Sequence, residues 1–287
     1  MTDASGRRDG IRAAVLSVLI LTLLLPPAAE AAEAGAIRFG ARADAPPISY
    51  RTADGRFRGY AIDICEEVKK AYRARHPERE IAEDYVLVTT ADRQEKLLSG
   101  EIDTVCGPFS ITESRMADFD FSFLIFVSGG SVAARRPSSV IPAAPQAMQG
   151  ALQRVAVVSE TTTLEFIESL LGTSVEVDRK ATHDEAFAAL AAGAVTYYFA
   201  DRAILNAVVG RADNAGDFLV GGKFLTYEPY ALPFAKGRSP ELRDAANATI
   251  AELFRSRRIH AIYENHFPGQ RPSDLLQSLF QLYALPK

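Results

Sequence analysis

The 287-residue sequence is poor in the residues that mark several kinds of chemistry. It has two cysteines, Cys65 and Cys106, and four scattered histidines, His76, His183, His260 and His266. No two histidines stand at helical ligand spacing with a carboxylate, and a closed zinc site needs four spaced Cys or His ligands, so no metal is expected. A P-loop, a G-x-G-x-x-G fingerprint and a G-x-S-x-G elbow are all missing. Phosphoryl, hydride and serine-hydrolase chemistry therefore lose their usual sequence support, and no cofactor is expected. A basic excess is missing too: Lys+Arg 32 against Asp+Glu 36 gives a formal net charge of −4, whereas nucleic-acid binding calls for a net basic face. With 48% hydrophobic and 24% charged residues the balance is globular, which argues against disorder and collagen-like repeats.

The apolar run at residues 13–25 (AAVLSVLILTLLL) is shorter than the roughly 20 residues that span a bilayer. It follows Arg7, Arg8 and Arg12 and leads into Pro26, Pro27 and a small-residue stretch with A-x-A sites at Ala29/Ala31 and Ala32/Ala34. That order predicts a signal peptide over residues 1–34 and a periplasmic protein, soluble after cleavage. Cleavage after Ala34 removes three basic residues and four acidic ones (Asp3, Asp9, Glu30, Glu33), taking the charge from −4 to −3. About 250 residues remain, enough for one large domain or two of roughly 100–150. For Cys65 and Cys106 two readings stand: a disulfide, which an oxidising compartment favours, or two small buried apolar side chains.

Along the mature chain, strand-length apolar runs alternate with helical patterns. Ile37–Gly40, a helix from about Ala61 to Arg75, Tyr85–Val88, a short helix around Gln94–Leu98 and Ile102–Val105 read as a parallel α/β unit, with a tight turn at Asp54-Gly55. Pro137, Pro142 and Pro145 interrupt the chain, after which the rhythm restarts. Val155–Val158, a helix over Thr162–Leu171, Val175–Val177, a helix over Asp184–Ala192 and Val195–Phe199 form a second α/β unit. Tyr230–Phe234 is a further strand-like run. The rest is helical: Pro240–Phe254 with Ser239 as N-cap, a piece at His260–Asn265 and an amphipathic tail at Leu275–Leu285. Two units with a returning tail suggest a cleft between lobes, where small ligands bind.

Three segments carry candidate binding groups. Gly107-Pro108-Phe109-Ser110-Ile111-Thr112-Glu113-Ser114-Arg115 follows a strand end, where loops line the crevice of an α/β sheet. Arg115 there can grip a carboxylate with two parallel hydrogen bonds, while the plain alternative is a surface pair with Glu113 or Asp118. Ser159-Glu160-Thr161-Thr162-Thr163-Leu164-Glu165 reads as a helix start with a Thr162-x-x-Glu165 capping box, and a helix N-terminus also receives anions. Asp201, at the end of another strand, suits an ammonium group or an N-cap role.

These pieces resemble the periplasmic solute-binding proteins of ABC amino-acid transporters, family 3, which are similar to the ligand-binding core of ionotropic glutamate receptors. The resemblance runs from Ile37 to about Phe267. It passes through Pro47-Ile48-Ser49-Tyr50, Gly59-Tyr60-x-x-Asp63, Arg93-x4-Leu98-x-Gly100-x-Ile102-Asp103, Gly107-x4-Thr112-x-x-Arg115-x3-Phe119-x-Phe121-Ser122, Val157-Val158-x-x-Thr161-Thr162 and Tyr198-x-x-Asp201.

The resemblance implies a two-lobed α/β fold of periplasmic-binding-protein type II, each lobe a mixed sheet flanked by helices, with a two-strand hinge. Lobe 1 would be residues 35–132 and 229–287, and lobe 2 residues 133–228. It further implies a monomer that captures a polar amino acid by lobe closure and delivers it to an inner-membrane ABC permease.

Position by position, Arg115 matches the arginine that clamps the ligand α-carboxylate, helped by Ser110 and by Thr161 and Thr162. Asp201 and the Pro108 carbonyl match the ammonium acceptors, and Tyr50 and Ile48 fall at wall positions. The sequence looks most like the glutamate/aspartate-binding branch, in which Arg42 and Arg93 face the distal carboxylate and Thr90 and His183 add polar contacts. Two departures stand out: Glu160 replaces a usual glycine, and Gly107–Ile111 replaces a small-hydroxyl run. Glu160 near a buried site motivates the alternative, a periplasmic dehydratase resembling cyclohexadienyl dehydratase, because a buried carboxyl can serve as a general acid.

Overall fold

Phe39–Arg42 is buried along its whole length and becomes β1, the centre of a parallel sheet in the order β5-β1-β6, with β5 at Val86–Val88 and β6 at Thr104–Cys106. A centre strand covered on both faces carries no exposed polar alternation, which is what this run shows. The computed structural model describes residues 36–136, 141, 154–171 and 175–284. The expected signal peptide, residues 1–34, and the three prolines of the break lie outside them.

After β1, the short strands β2 (Asp44–Ala45), β3 (Ser49–Arg51) and β4 (Phe57–Arg58) form an antiparallel meander, and Asp54-Gly55 makes its turn, with the Gly55 N–H donating to Thr52 O at 2.9 Å. Helix α1 (Tyr60–Arg75) buries Ala61, Ile64, Cys65, Val68 and Tyr72, the stripe expected of a helix laid on a sheet. It begins against the backbone of the meander: Ala61 N–H donates to Ile48 O at 2.9 Å, and a Cβ on Gly59 would lie 2.3 Å from that same oxygen. With φ of 139° as well, only glycine fits there. Cys65 on this face is bonded to Cys106 at the end of β6 (S–S 2.07 Å, Cα–Cα 6.1 Å), tying the helix to the strand that leads into the Gly107–Ser110 loop.

The chain leaves this lobe through β7 (Phe119–Ser128), which pairs antiparallel with the returning β13 (Glu228–Ala235), Ser128 standing opposite Glu228. At Gly129 it passes into β8 (Gly130–Arg135), a member of the second sheet. A Cβ at Gly129 would lie 2.4 Å from both the Phe224 ring and the Thr226 carbonyl, so the crossing is closely packed. The second sheet has the order β10-β9-β11-β8-β12, with β9 at Arg154–Val158, β10 at Glu176–Lys180, β11 at Tyr197–Asp201 and β12 at Phe218–Val220. β9, β10 and β11 run parallel while β8 and β12 pair antiparallel, giving a mixed sheet. Along β11 the side chains alternate between two cores: Tyr197 and Phe199 join Val132, Val155 and Val157, and Tyr198 and Ala200 join Ala156, Ile204 and Leu205.

The remaining helices among the described residues are α2 (Arg93–Ser99), α3 (Thr162–Leu171), α4 (His183–Ala191), α5 (Arg202–Gly210), α6 (Pro240–Arg255), α7 (Arg258–His266) and α8 (Asp274–Leu282). The last three return to the first lobe, where Leu242, Phe254, Tyr263 and Phe280 share a core with Phe39, Tyr60 and Tyr230. The result is a two-lobed α/β fold in which two strands cross between the sheets.

Two caps differ from expectation. Thr161, not Thr162, caps α3: its Oγ1 accepts from Leu164 N–H at 3.2 Å, which leaves Glu165 outside any capping box. Ser239 has φ of 49° and turns its hydroxyl to Asp103 Oδ1 at 3.1 Å instead of capping α6.

Candidate functional site

The loop after β6 is stitched to the hinge. Ala231 N–H donates to Phe109 O (3.1 Å), Ile111 N–H donates to Pro229 O (2.8 Å), and Ser110 bridges to Tyr230. Held there, the loop presents Pro108 and Ser110 to the second lobe. A short turn at Arg115–Ala117 follows, in which Arg115 N–H donates to Thr112 Oγ1 at 3.2 Å. Arg115 is 6% exposed, and its Nη1 donates to Ser110 O at 2.9 Å. Arg93, the first residue of α2, is 2% exposed, with Nη1 on Pro108 O at 2.8 Å and Nη2 on Glu160 O of the other lobe at 3.3 Å. Both guanidinium carbons lie 4.7 Å from the ring centroid of the fully buried Phe109, within cation–π range.

Among the described residues neither Arg93 nor Arg115 has a carboxylate within ion-pair distance, and Arg93 Nε has no hydrogen-bond partner. Burial is the main force against the charge on both. At Arg93, Arg115 and Arg42 add to it; at Arg115, Glu165, Glu228 and Asp201 oppose it. Arg42 differs, because its Nε donates to Asp44 Oδ1 at 2.8 Å and its Nη2 lies 2.6 Å from the same oxygen. Burial pushes the Asp44 carboxyl up, but Arg42 and His183 together hold it below the ordinary carboxylate value. Asp44 Oδ2 also accepts from His183 N–H at 3.4 Å, a contact between the two lobes. His183 is buried with its Nδ1 2.6 Å from Tyr198 Oη, and burial pulls its pKa down to about 3 despite Asp44.

The opposing wall is built from α3 and β11. The start of α3, the end at which a helix has N–H groups without an i−4 partner, lines the cavity with Thr161, Thr162 and Thr163, and the Thr161 hydroxyl donates to Val158 O at 2.7 Å. Glu160 precedes them at φ of 55°, the left-handed region that favours glycine, and its side chain is exposed. Asp201 ends β11 without capping α5, and among the described residues its buried Oδ1 makes no well-formed hydrogen bond, with the Tyr230 hydroxyl beside it. Burial first, then the neighbouring Glu228, push its pKa well above the ordinary carboxylate range. Glu228 itself is 2% exposed. Its Oε2 accepts from Ser110 Oγ (2.5 Å) and Thr162 Oγ1 (2.7 Å), and its Oε1 accepts from Thr226 Oγ1 (3.0 Å).

These groups enclose a cavity of ≈ 20 Å³, about the room one water needs. Larger depressions of ≈ 650 and ≈ 790 Å³ lie on the outer surface along α1, α6 and α8, away from this cluster. Charge arrangement, not volume, marks the site. Two buried guanidiniums of one lobe meet the α3 N-terminus and the Asp201 carboxyl of the other, with the buried Glu228 beside them, so cations and carboxyls converge where the lobes join.

Comparison with known proteins fits this layout. Residues 37–269 match the model of the bacterial extracellular solute-binding proteins, family 3. The chain belongs to that family. The solute-binding protein is 25% identical to the L-glutamate/L-aspartate-binding protein of Pseudomonas aeruginosa over 84% of this chain and 79% of the relative. It is 28% identical to the ABC transporter glutamine-binding protein GlnH of Bacillus subtilis over 79% of this chain and 80% of the relative. Among solved structures, an ancestral arginine-binding protein bound to glutamine superposes with a TM-score of 0.71 at 26% identity, covering 81% of this chain and 98% of that one.

Of the residues singled out from the sequence, Arg42, Arg93, Pro108, Ser110, Arg115, Thr161, Thr162, His183 and Asp201 together line this small cavity of the solute-binding protein. Tyr50 does not. It stands on the meander beside Arg58, Asp63, Asn265 and His266 around a separate surface cavity. Thr90 is buried between β5 and α2 and does not line the cavity, and Ile48 is part of the first lobe's core. Sequence reasoning passed over Glu228, Asp44 and Phe109 as site groups. For Glu228 a signal was present: an acidic residue, of a type depleted in strands, stands two positions before the apolar run Tyr230–Phe234.

Proposed function

We propose that this protein captures an amino acid in the periplasm and hands it to an inner-membrane ABC permease. The names of the relatives and the zwitterion-shaped cleft support amino acids as the class. Arg115 and the α3 N-terminus would take the α-carboxylate, and Asp201 the ammonium group. Within the class we favour an acidic side chain, glutamate or aspartate. One observation carries this: Arg93 is a buried cation whose hydrogen bonds go to two backbone carbonyls and which has no carboxylate in ion-pair range among the described residues. A buried charge without its own partner is costly, and a ligand's distal carboxylate would supply one. Arg42 is already matched by Asp44, so two free guanidiniums remain for two ligand carboxylates.

Closure follows from where these groups sit. Arg93 and Arg115 belong to one lobe, Asp201 and the α3 N-terminus to the other, and only a ligand touching both shifts the open–closed balance. We place the lobe division at Gly129 and Glu228, where the chain passes between the sheets, in preference to 132/133. Glu160 gives the dehydratase alternative no support, since its side chain faces solvent. Calorimetric titration with the twenty amino acids tests the proposal: L-glutamate or L-aspartate should bind most tightly. Tighter binding of a neutral or basic amino acid would overturn the acidic assignment, and turnover of prephenate or arogenate would overturn the transport reading.

A further inference from the structure

We propose that Glu228 is a positioning residue that fixes the polarity of the cleft hydroxyls, so that Ser110 Oγ and Thr162 Oγ1 present lone pairs to the ligand's ammonium group and cannot donate to its carboxylate. The inference rests on the amino-acid reading of the site and reverses the role that the resemblance gives the Ser110 and Thr162 hydroxyls, which it sets beside Arg115 on the carboxylate.

A hydroxyl owns one hydrogen and two lone pairs. Ser110 and Thr162 come from opposite lobes, and both direct their hydrogens at the same oxygen, Glu228 Oε2, at 2.5 and 2.7 Å, the lengths of charge-assisted O–H···O⁻ bonds. The other carboxylate oxygen is held as firmly. Thr226 Oγ1 accepts from Gly130 N–H at 2.7 Å, so its own hydrogen is free to go to Glu228 Oε1 at 3.0 Å. Glu228 is 2% exposed, and water does not compete for these bonds. With their hydrogens fixed, the two hydroxyls offer the cavity acceptors alone. Asp201 Oδ1, buried beside the Tyr230 hydroxyl, adds a third acceptor to the cavity. A carboxylate docked against Ser110 and Thr162 would meet lone pairs backed by a negative charge, whereas an ammonium group would meet three acceptors. The carboxylate is thereby directed to Arg115 and the α3 amides, and the zwitterion has one orientation.

The test compares L-glutamate with glutarate, which lacks only the α-amino group, and L-glutamine with glutaramate as a second pair, by calorimetry on wild type and variants. Wild type should favour each amino acid over its deaminated counterpart by at least about 100-fold, the scale on which sites reject ligands that leave built polar groups unpaired. Glu228→Ala frees both hydroxyls to rotate, and the ratio should fall at least about 10-fold, mainly through weaker amino-acid binding. Glu228→Gln keeps an oxygen that accepts from both hydroxyls and turns its amide toward Thr226, so it should keep the ratio within about 3-fold of wild type. Thr162→Val, which leaves Glu228 in place, should weaken L-glutamate about 10-fold while leaving glutarate within about 2-fold. It serves as the decisive variant if Glu228→Ala does not fold. Equal losses for both members of a pair, or an unmoved ratio in folded Glu228→Ala, would overturn the inference while leaving amino-acid binding intact. Wild type that binds none of the twenty amino acids would overturn the reading of the site and this inference with it.

Discussion

Replacing Arg93 by methionine removes a guanidinium that is 2% exposed, bonded to Pro108 O and Glu160 O, and seated 4.7 Å from the Phe109 ring centroid. In the ligand-free protein the consequences offset. Two hydrogen bonds from a charged donor, about 1.5–3 kcal/mol each, and a desolvated cation–π contact of about 2 kcal/mol are lost. Against them, a buried cation whose desolvation costs several kcal/mol is gone. The melting temperature should therefore move by only a few degrees. Ligand binding has no such offset. A distal carboxylate that loses its buried partner is weakened by about 3–5 kcal/mol, which is two to three and a half orders of magnitude in Kd. A neutral carboxamide in the same place loses about 1 kcal/mol, less than tenfold. Titration of wild type and Arg93→Met with L-glutamate and L-glutamine reads the difference: the preference for glutamate should collapse or invert. If both ligands weaken by the same factor, or if glutamate binding stays within tenfold of wild type, Arg93 does not read a distal carboxylate and the acidic assignment fails.

Arg115→Ala should reduce binding of every amino acid by a similar two to three and a half orders of magnitude, because the α-carboxylate is common to all; micromolar binding retained in the variant would contradict its role. The Cys65→Ala/Cys106→Ala variant should lose about 4 kcal/mol in chemical denaturation, the value for a cross-link closing a sequence separation of 41 residues, and an unchanged midpoint would show that the bond does not constrain the unfolded chain. His183 supplies a pH prediction. Burial holds its pKa at about 3 against an ordinary 6.5, so in that window the unfolded chain binds a proton that the folded form refuses. Stability from this group is full above pH 6.5 and is lost as pH falls through about 3. His183→Gln should flatten that acid limb in denaturation midpoints measured from pH 7 to 3, and identical limbs in the two proteins would refute it.

Much of this architecture is readable in the sequence because burial writes periodicity. The stripe Ile64, Cys65, Val68 and Tyr72 shows α1, and the run at Thr162–Leu171 shows α3, residue for residue. The hinge is harder to see. β7 and β8 form one nearly continuous apolar stretch, Phe119–Arg135, whose change of sheet at Gly129 is dictated by Phe224 and Thr226, almost a hundred residues away. The cleft residues carried by loops at strand ends, Pro108, Ser110, Arg115 and Asp201, are legible because position in an α/β sheet predicts exposure to a crevice. Which arginine is already paired is not legible. Arg42 is matched by Asp44 through a two-residue strand whose backbone bends on the meander, and nothing in the local pattern distinguishes it from Arg93. The hydroxyl polarity set by Glu228 is hidden for the same reason, since three residues spread over positions 110, 162 and 226 converge on it only after folding.

On the proposed reading, the same geometry makes ligand recognition and lobe closure one event. Arg93 and Arg115 lean on backbone carbonyls, and burial raises the Asp201 carboxyl toward its neutral form. Contacts between the lobes include two long ones, Arg93 to Glu160 O at 3.3 Å and His183 N–H to Asp44 at 3.4 Å, and the short bridge from Thr162 to Glu228 at 2.7 Å. A cavity of ≈ 20 Å³ has no room for an amino acid, and on the proposed reading the lobes part to admit one. On the proposed reading, the closed form that follows gains what the empty one lacks: a carboxylate for each free guanidinium and a cation that lets Asp201 ionise. A ligand missing any one of the three charges leaves a desolvated group unmatched, and the penalty falls on the closed state alone. Selectivity in such a clamp arises from the difference between two closed states, one neutralised and one not, and requires no contact made in the open form.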